Sequence, residues 1–107
     1  ARFDYYARKR LENAHLQNTA PTYGWVKEAV GVTKVLLDKE LDRQIETPLL
    51  LCQASRDTVV CLPEQNRFVS LLPHAQLRAF DAKHEIYMST NDILREYVPT
   101  VIEFLRG

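Results

Sequence analysis

Leu49-Leu50-Leu51-Cys52 is an unbroken apolar run, bounded by Pro48 on one side and by the polar Ser55-Arg56-Asp57 on the other. An unbroken run, rather than an alternating one, suits a strand covered on both faces, which is the situation in parallel sheets. A second short strand is predicted over Leu77 to Asp81. Roughly twenty residues separate the two, too many for a hairpin and enough for a parallel crossover. Within that interval Pro63 suits a first helical position. Phe68, Val69, Leu71 and Leu72 then line one side of a helix that Pro73 ends. A last helix is predicted after an Asn91-Asp92 cap, burying Ile93, Leu94, Tyr97, Val101, Ile102 and Leu105. Pro99 falls inside it and predicts a kink, or a fresh start near Val98.

The chain before Thr47-Pro48 has a different texture, with charges and helix formers alternating. Residues 1–46 carry eight Lys/Arg and seven Asp/Glu, and residues 47–107 carry six and seven, so the change is one of secondary structure and not of charge. Phe3, Tyr6 and Arg10 predict a short helix over about residues 2–12. Asn13 to Pro21 reads as a loop. Thr22 is the candidate N-cap of a longer helix. In that helix Val26, Ala29, Val30, Thr33, Leu36 and Leu37 recur on what should be one buried face. Gly31 interrupts the pattern at a propensity cost of about 1 kcal/mol. Residues 38–46 are too charged for a core element. The expected organisation is therefore 1–46 as a helical region and 47–107 as two strand–helix units, an α/β arrangement.

Several function classes are disfavoured. The 14 basic and 14 acidic residues cancel, whereas a nucleic-acid partner calls for a basic surplus. An apolar fraction of 46% argues against disorder. No apolar stretch approaches the roughly 20 residues that span a bilayer. The N-terminal Ala1-Arg2-Phe3-Asp4-Tyr5-Tyr6 has neither a signal-peptide core nor a starting Met, so the expectation is a chain that begins inside something longer or has been processed. Cys52 and Cys61 are too far apart for a CxxC motif, and the histidines are not spaced as zinc partners, so no metal is expected. Both cysteines read as buried free thiols in a reducing, intracellular setting. Gly24, Gly31 and Gly107 are the only glycines, and none lies in a phosphate-cradling or dinucleotide-binding loop, so no cofactor is expected.

In parallel α/β sheets the chemistry gathers at the carboxyl ends of the strands. Asp57 follows the first strand and His84 follows the second, in Phe80-Asp81-Ala82-Lys83-His84-Glu85. Adjacent parallel strands would bring these loops together. A carboxylate that accepts the Nδ1 proton of an imidazole fixes its tautomer and stabilises the imidazolium formed in catalysis. Each residue also has a plainer reading. An Asp after a strand is commonly a turn or capping residue, and a single His is commonly a surface or satisfied core residue. Asp81 and Glu85 are alternative partners for His84.

Here the chain resembles a known family. Thr47-Pro48-Leu49-Leu50-Leu51-Cys52-Gln53-Ala54-Ser55-Arg56-Asp57-Thr58-Val59-Val60 resembles the acid-bearing strand and loop of the α/β-hydrolase superfamily, and Phe80-Asp81-Ala82-Lys83-His84-Glu85-Ile86 resembles its histidine loop. Pro21-Thr22-Tyr23-Gly24-Trp25-Val26-Lys27-Glu28-Ala29 is similar to the segment between cap and last core strands in the bacterial lysophospholipase and monoacylglycerol lipase branch. The resemblance implies Asp57 as triad acid and His84 as general base. It makes Tyr23 and Trp25 weaker substrate-contact candidates, against the plainer reading of a helix packed on its own core. Cys61 departs from the family, where a polar or acidic residue is common. The family's nucleophile is a Ser within Gly-x-Ser-x-Gly. Ser55, Ser70 and Ser89 are the serines here, and none lies between two glycines.

The resemblance thus implies the carboxy-terminal part of a serine ester hydrolase, with residues 1–46 as cap remnant and connecting helix. The implied substrates are lysophospholipid or monoacylglycerol-like esters. The isolated chain is expected to be inactive. Its expected partners are the ester and the upstream part of the same hydrolase, and its expected location is cytoplasmic, or peripheral at the inner membrane. Arg56 and Lys83 border the two loops, where an exposed, solvated role is the default and contact with a phosphate is the alternative. Two other function classes compete. One is a non-catalytic binding or self-association module, since a two-strand sheet leaves open edges. The other is a cysteine hydrolase using Cys52 or Cys61 with His84, disfavoured because Cys52 lies within the apolar strand and Cys61 has no elbow to raise its reactivity.

Overall fold

In the computed structural model, residues 2–18, 20–37 and 44–107 are described. They comprise α1 (Arg2–Glu12), a 3₁₀ turn at Ala14–Leu16, α2 (Tyr23–Leu36), β1 (Leu49–Ala54), α3 (Leu62–Leu71), β2 (Ala75–Phe80), a second 3₁₀ turn at Ile86–Met88, and α4 (Asn91–Arg106). The chain forms two compact units, Ala1–Gly31 and Val32–Gly107.

In the second unit β1 and β2 pair in parallel, from Leu49 opposite Ala75 to Ala54 opposite Phe80, with α3 as the connection between them. The fold class is α/β. Strand β2 begins two residues earlier than the sequence pattern predicts and ends at Phe80. The pairing does not stop with the strands. Ser55 N–H donates to Phe80 O at 2.9 Å and Arg56 N–H to Ala82 O at 3.0 Å, so the two post-strand loops leave the sheet in register.

The core sits at this carboxyl end. Ala54, Phe80, Ala82 and Ile86 are buried, with Cys52, Ile93 and Tyr97 packed against them. Phe80 meets Tyr97 edge to face at a centroid distance of 5.5 Å. Toward the start of β1 the covering thins. Leu49, Leu50, Leu51 and Cys52 are half-buried, not enclosed on both faces as the unbroken run implies. The physical reason is that the sheet has only two strands among the described residues, so β1 has a strand neighbour on one side only.

The helices depart from expectation in instructive ways. Pro63 is the second residue of α3, after Leu62, where its missing N–H still costs no helical bond. Helix α3 ends at Leu71, and buried Leu72 caps it just before Pro73. Thr90, not Asn91, is the N-cap residue of α4. Helix α4 runs without a break through Pro99, so no fresh start occurs at Val98. Thr100 Oγ1 donates to Glu96 O at 2.8 Å in the turn that the proline interrupts. Ile93, Leu94, Tyr97, Val101 and Phe104 are half-buried, but Ile102 is 41% exposed and Leu105 76%. The buried stripe on α4 is therefore narrower than its apolar spacing.

In the first unit Asn13 shortens the predicted loop, because its Oδ1 accepts from His15 N–H at 3.0 Å and starts the 3₁₀ turn. Thr22 caps α2 as expected, its Oγ1 accepting from Trp25 N–H at 3.1 Å. The predicted buried face of α2 is corrected. Val26, Val30 and Leu36 are exposed, and only Ala29 is half-buried within the helix, with Leu37 following it. Apolar spacing sets which side of a helix is apolar; burial needs a surface to cover it. Most of the charged segment 38–46 lies outside the described residues. Among the described residues no helix is long and apolar enough to cross a membrane.

Candidate active site

The Asp57 turn is built by local hydrogen bonds. Asp57 N–H donates to Ala54 O at 3.1 Å, which bends the chain directly off β1. Asp57 Oδ1 then accepts from Val59 N–H at 2.7 Å and Val60 N–H at 3.2 Å. This is the turn-forming role that an aspartate after a strand commonly has. It uses one carboxylate oxygen and leaves the other. Oδ2 lies 2.8 Å from His84 Nδ1. The plain reading and the chemical one thus apply to the same side chain, one oxygen each.

Electrostatics assign the proton in that contact. Burial pushes the Asp57 carboxyl up, but the hydrogen bonds from His84, Val59 and Val60, with the attraction of the imidazole, outweigh it and hold the group below its ordinary value. An ionised carboxylate can only accept. His84 Nδ1–H is therefore the donor, and in the neutral ring Nε2 carries the lone pair. The Asp57 side chain is 4% exposed and that of His84 46%, so the carboxylate is shielded while the imidazole is open to a reactant.

The other acids near His84 are engaged elsewhere. Asp81 Oδ1 pairs with Arg56 Nε at 2.7 Å, and Glu85 Oε1 accepts from Tyr87 Oη–H at 3.1 Å. Arg56 also donates from Nη2 to Asp81 O at 2.9 Å. Its guanidinium therefore grips one residue of the histidine loop twice. Sequence reading gave Arg56 a solvated role or a phosphate. The signal for the pairing lies in the strand register: Ala54 opposite Phe80 carries Arg56 to the level of Ala82, next to Asp81.

The thiols are not the pair of buried groups expected. Cys61 is exposed, at the N-cap of α3, and Cys52 is half-buried in β1, where burial pushes its thiol up. A raised thiol is a weaker source of thiolate. Ser70 Oγ donates to Arg67 O at 2.7 Å within α3. Among the described residues no three metal-ligating side chains gather into a cluster.

Tyr23 and Trp25 lie in the first turn of α2, 97% and 64% exposed. Trp25 lines an open hollow with Arg10, Leu16 and Thr22. In the second unit an apolar hollow of about 400 Å³ lies between Leu36, Leu51, Val60, Cys61 and Phe68. It borders the acid turn through Val60. Gln53, buried beneath that turn, donates from Nε2 to Gln65 Oε1 at 3.0 Å and Asn66 Oδ1 at 3.1 Å, tying β1 to α3. The sequence pattern gave no hint of this polar contact inside an otherwise apolar strand.

The chain is similar to a probable lysophospholipase L2 from Haemophilus influenzae, with 26% identity over 105 residues, covering 97% of this chain and 33% of that protein. The chain thus spans about a third of the length of that relative. No family model and no solved structure matches the chain. The likeness is distant and points to a hydrolase relative.

Proposed function

We propose that this chain is the carboxy-terminal part of a serine ester hydrolase and supplies its acid and its histidine. The observation that carries the reading is the 2.8 Å contact from His84 Nδ1 to an Asp57 carboxylate that two backbone amides already hold. Its support from relatives is the similarity to a probable lysophospholipase three times as long. On that basis the substrate is a lysophospholipid or monoacylglycerol-like ester.

The nucleophile is a serine from the remainder of the parent protein, since no serine here lies in a Gly-x-Ser-x-Gly elbow. His84 Nε2 takes the serine proton as the hydroxyl attacks the ester carbonyl. It returns that proton to the departing alcohol. It then takes a proton from water, which attacks the acyl-enzyme, and gives that proton to the departing serine oxygen as the acid is released. Asp57 stays ionised throughout and keeps Nδ1 protonated. Tyr23 and Trp25 are the proposed, lesser contacts to substrate. Residues 1–46 are the proposed cap remnant and connecting helix, and residues 47–107 the last two core units.

The test uses the parent protein that carries this segment and the elbow. His84→Ala should lower ester hydrolysis by about 10⁴-fold or more, and Asp57→Asn by a similar factor through the wrong tautomer. Full activity in His84→Ala would overturn the reading. The 107-residue chain alone should show no esterase activity.

A second reading is favoured by one observation. Leu49 to Cys52 of β1 are half-buried, the neighbouring hollow is apolar, and α2 exposes Val26 and Val30. In the hydrolase reading the upstream part of the parent covers such surface. In the alternative, a non-catalytic module, a second copy does. A monodisperse monomer by scattering would sink the module.

A further inference from the structure

We propose that Arg56 is a positioning residue that holds the Asp57 turn against the histidine loop and thereby sets the Asp57–His84 contact. The proposal rests on the reading of Asp57 and His84 as an acid–histidine pair. Arg56 immediately precedes Asp57, and Asp81 lies three residues before His84. The guanidinium reaches across from one loop to the other. Its Nε is 2.7 Å from Asp81 Oδ1, and its Nη2 donates to Asp81 O at 2.9 Å. The Arg56 backbone N–H donates in the same direction, to Ala82 O at 3.0 Å. One residue thus ties the acid turn to the histidine loop by main chain and by side chain.

This geometry matters because the two catalytic candidates reach each other from separate loops. Oδ1 of Asp57 is fixed by its own turn, so the position of Oδ2 follows from the turn as a whole. The position of the His84 ring follows from the loop that begins at Asp81. Any slip between the loops lengthens the 2.8 Å contact. A single exposed ion pair is worth little, and here the side chains are 60% and 75% exposed. Arg56 does not have to hold the fold together, because the ladder bonds already set the register. It has only to select one orientation of two loops that are already adjacent, and a two-point planar grip does that better than a point charge. The same pairing occupies the charge that would otherwise meet a substrate phosphate.

The test is nitrogen-15 NMR of the His84 ring in this chain, at about pH 8, above the ordinary imidazole range. It is read together with amide exchange at Val59 and Val60. Arg56→Ala should lower the Nδ1–H fraction of His84 about threefold and speed exchange of both amides by a similar factor, as expected for one lost positioning contact. The strand amides of Cys52, Gln53 and Ala54 should keep their native exchange, which a merely structural loss would not allow. Asp81→Asn should give a smaller change, since the Asp81 carbonyl remains as acceptor. Arg56→Lys should restore part of the native signal. Native His84 and Val59–Val60 behaviour in Arg56→Ala would overturn the proposal. If Arg56→Ala unfolds, Asp81→Asn decides, and native behaviour there overturns it as well. Asp57→Asn distinguishes the underlying reading: if it leaves the His84 ring unchanged, the pair itself is absent, whereas a response to Asp57→Asn without one to Arg56→Ala removes only the role of Arg56.

Discussion

The carboxyl end of the sheet and the helix α2 are both rich in the features that predict structure, yet they end up in opposite states. At the sheet end, Ala54, Phe80, Ala82 and Ile86 are buried within one β–α–β unit and the loop just after it. Both oxygens of the Asp57 carboxylate have partners there. On α2 the apolar spacing is as regular, but Val26, Val30, Val35 and Leu36 are exposed. The difference teaches that the candidate site is a local construction. Its packing and its hydrogen bonds close among residues 52–97, without needing the rest of the chain. Among the described residues the apolar face of α2 is exposed.

If that contrast is right, the largest effect comes from the core beneath the site. Phe80 is 6% exposed and stacks edge to face on Tyr97. Phe80→Ala should cost about 3–5 kcal/mol, the usual range for emptying a buried aromatic site. Urea unfolding followed by far-UV circular dichroism reads this as a lower midpoint with an unchanged slope. A cost below about 1 kcal/mol would mean that the sheet end is no better packed than α2.

The second test is pH. The folded chain holds the Asp57 carboxyl below its ordinary value of 3.8. Between the folded and unfolded values the unfolded chain binds more protons, so stability rises with pH there. The contribution of Asp57 is complete above the unfolded value and is lost as the pH falls through the folded one. Asp57→Asn removes it at every pH. The difference in urea midpoint between the native chain and Asp57→Asn should therefore shrink below about pH 4. A gap that stayed constant through the acid range would show that the carboxylate is not held by these bonds.

How much of this was legible follows the same divide. The unbroken Leu49–Cys52 run, the crossover length and the positions of Asp57 and His84 were readable because each depends on residues close in sequence or on strand register. The preference for Asp57 over Asp81 and Glu85 came from the family resemblance, and in the structure those two acids are engaged with Arg56 and Tyr87. The Arg56 grip and the Gln53–Gln65–Asn66 contact were missed, because a polar side chain announces neither its direction nor its partner. The burial of α2, of Ile102 and Leu105, and of both faces of β1 was overestimated for one cause. Periodicity shows which surface is apolar, and it is silent on whether the covering layer belongs to the same segment.

The smallest and sharpest test of the comparison is Gly31→Ala. Gly31 lies inside α2, and a Cβ there would meet nothing within 4 Å. With no packing to disturb, only backbone propensity should act, and alanine should stabilise the helix by about 1 kcal/mol. Circular dichroism should show higher helix content and slower loss of it on heating. In a packed helix the same methyl group would meet neighbours, and strain would cancel or reverse the gain. A neutral or destabilising result would show that the methyl group is strained by a neighbour at position 31.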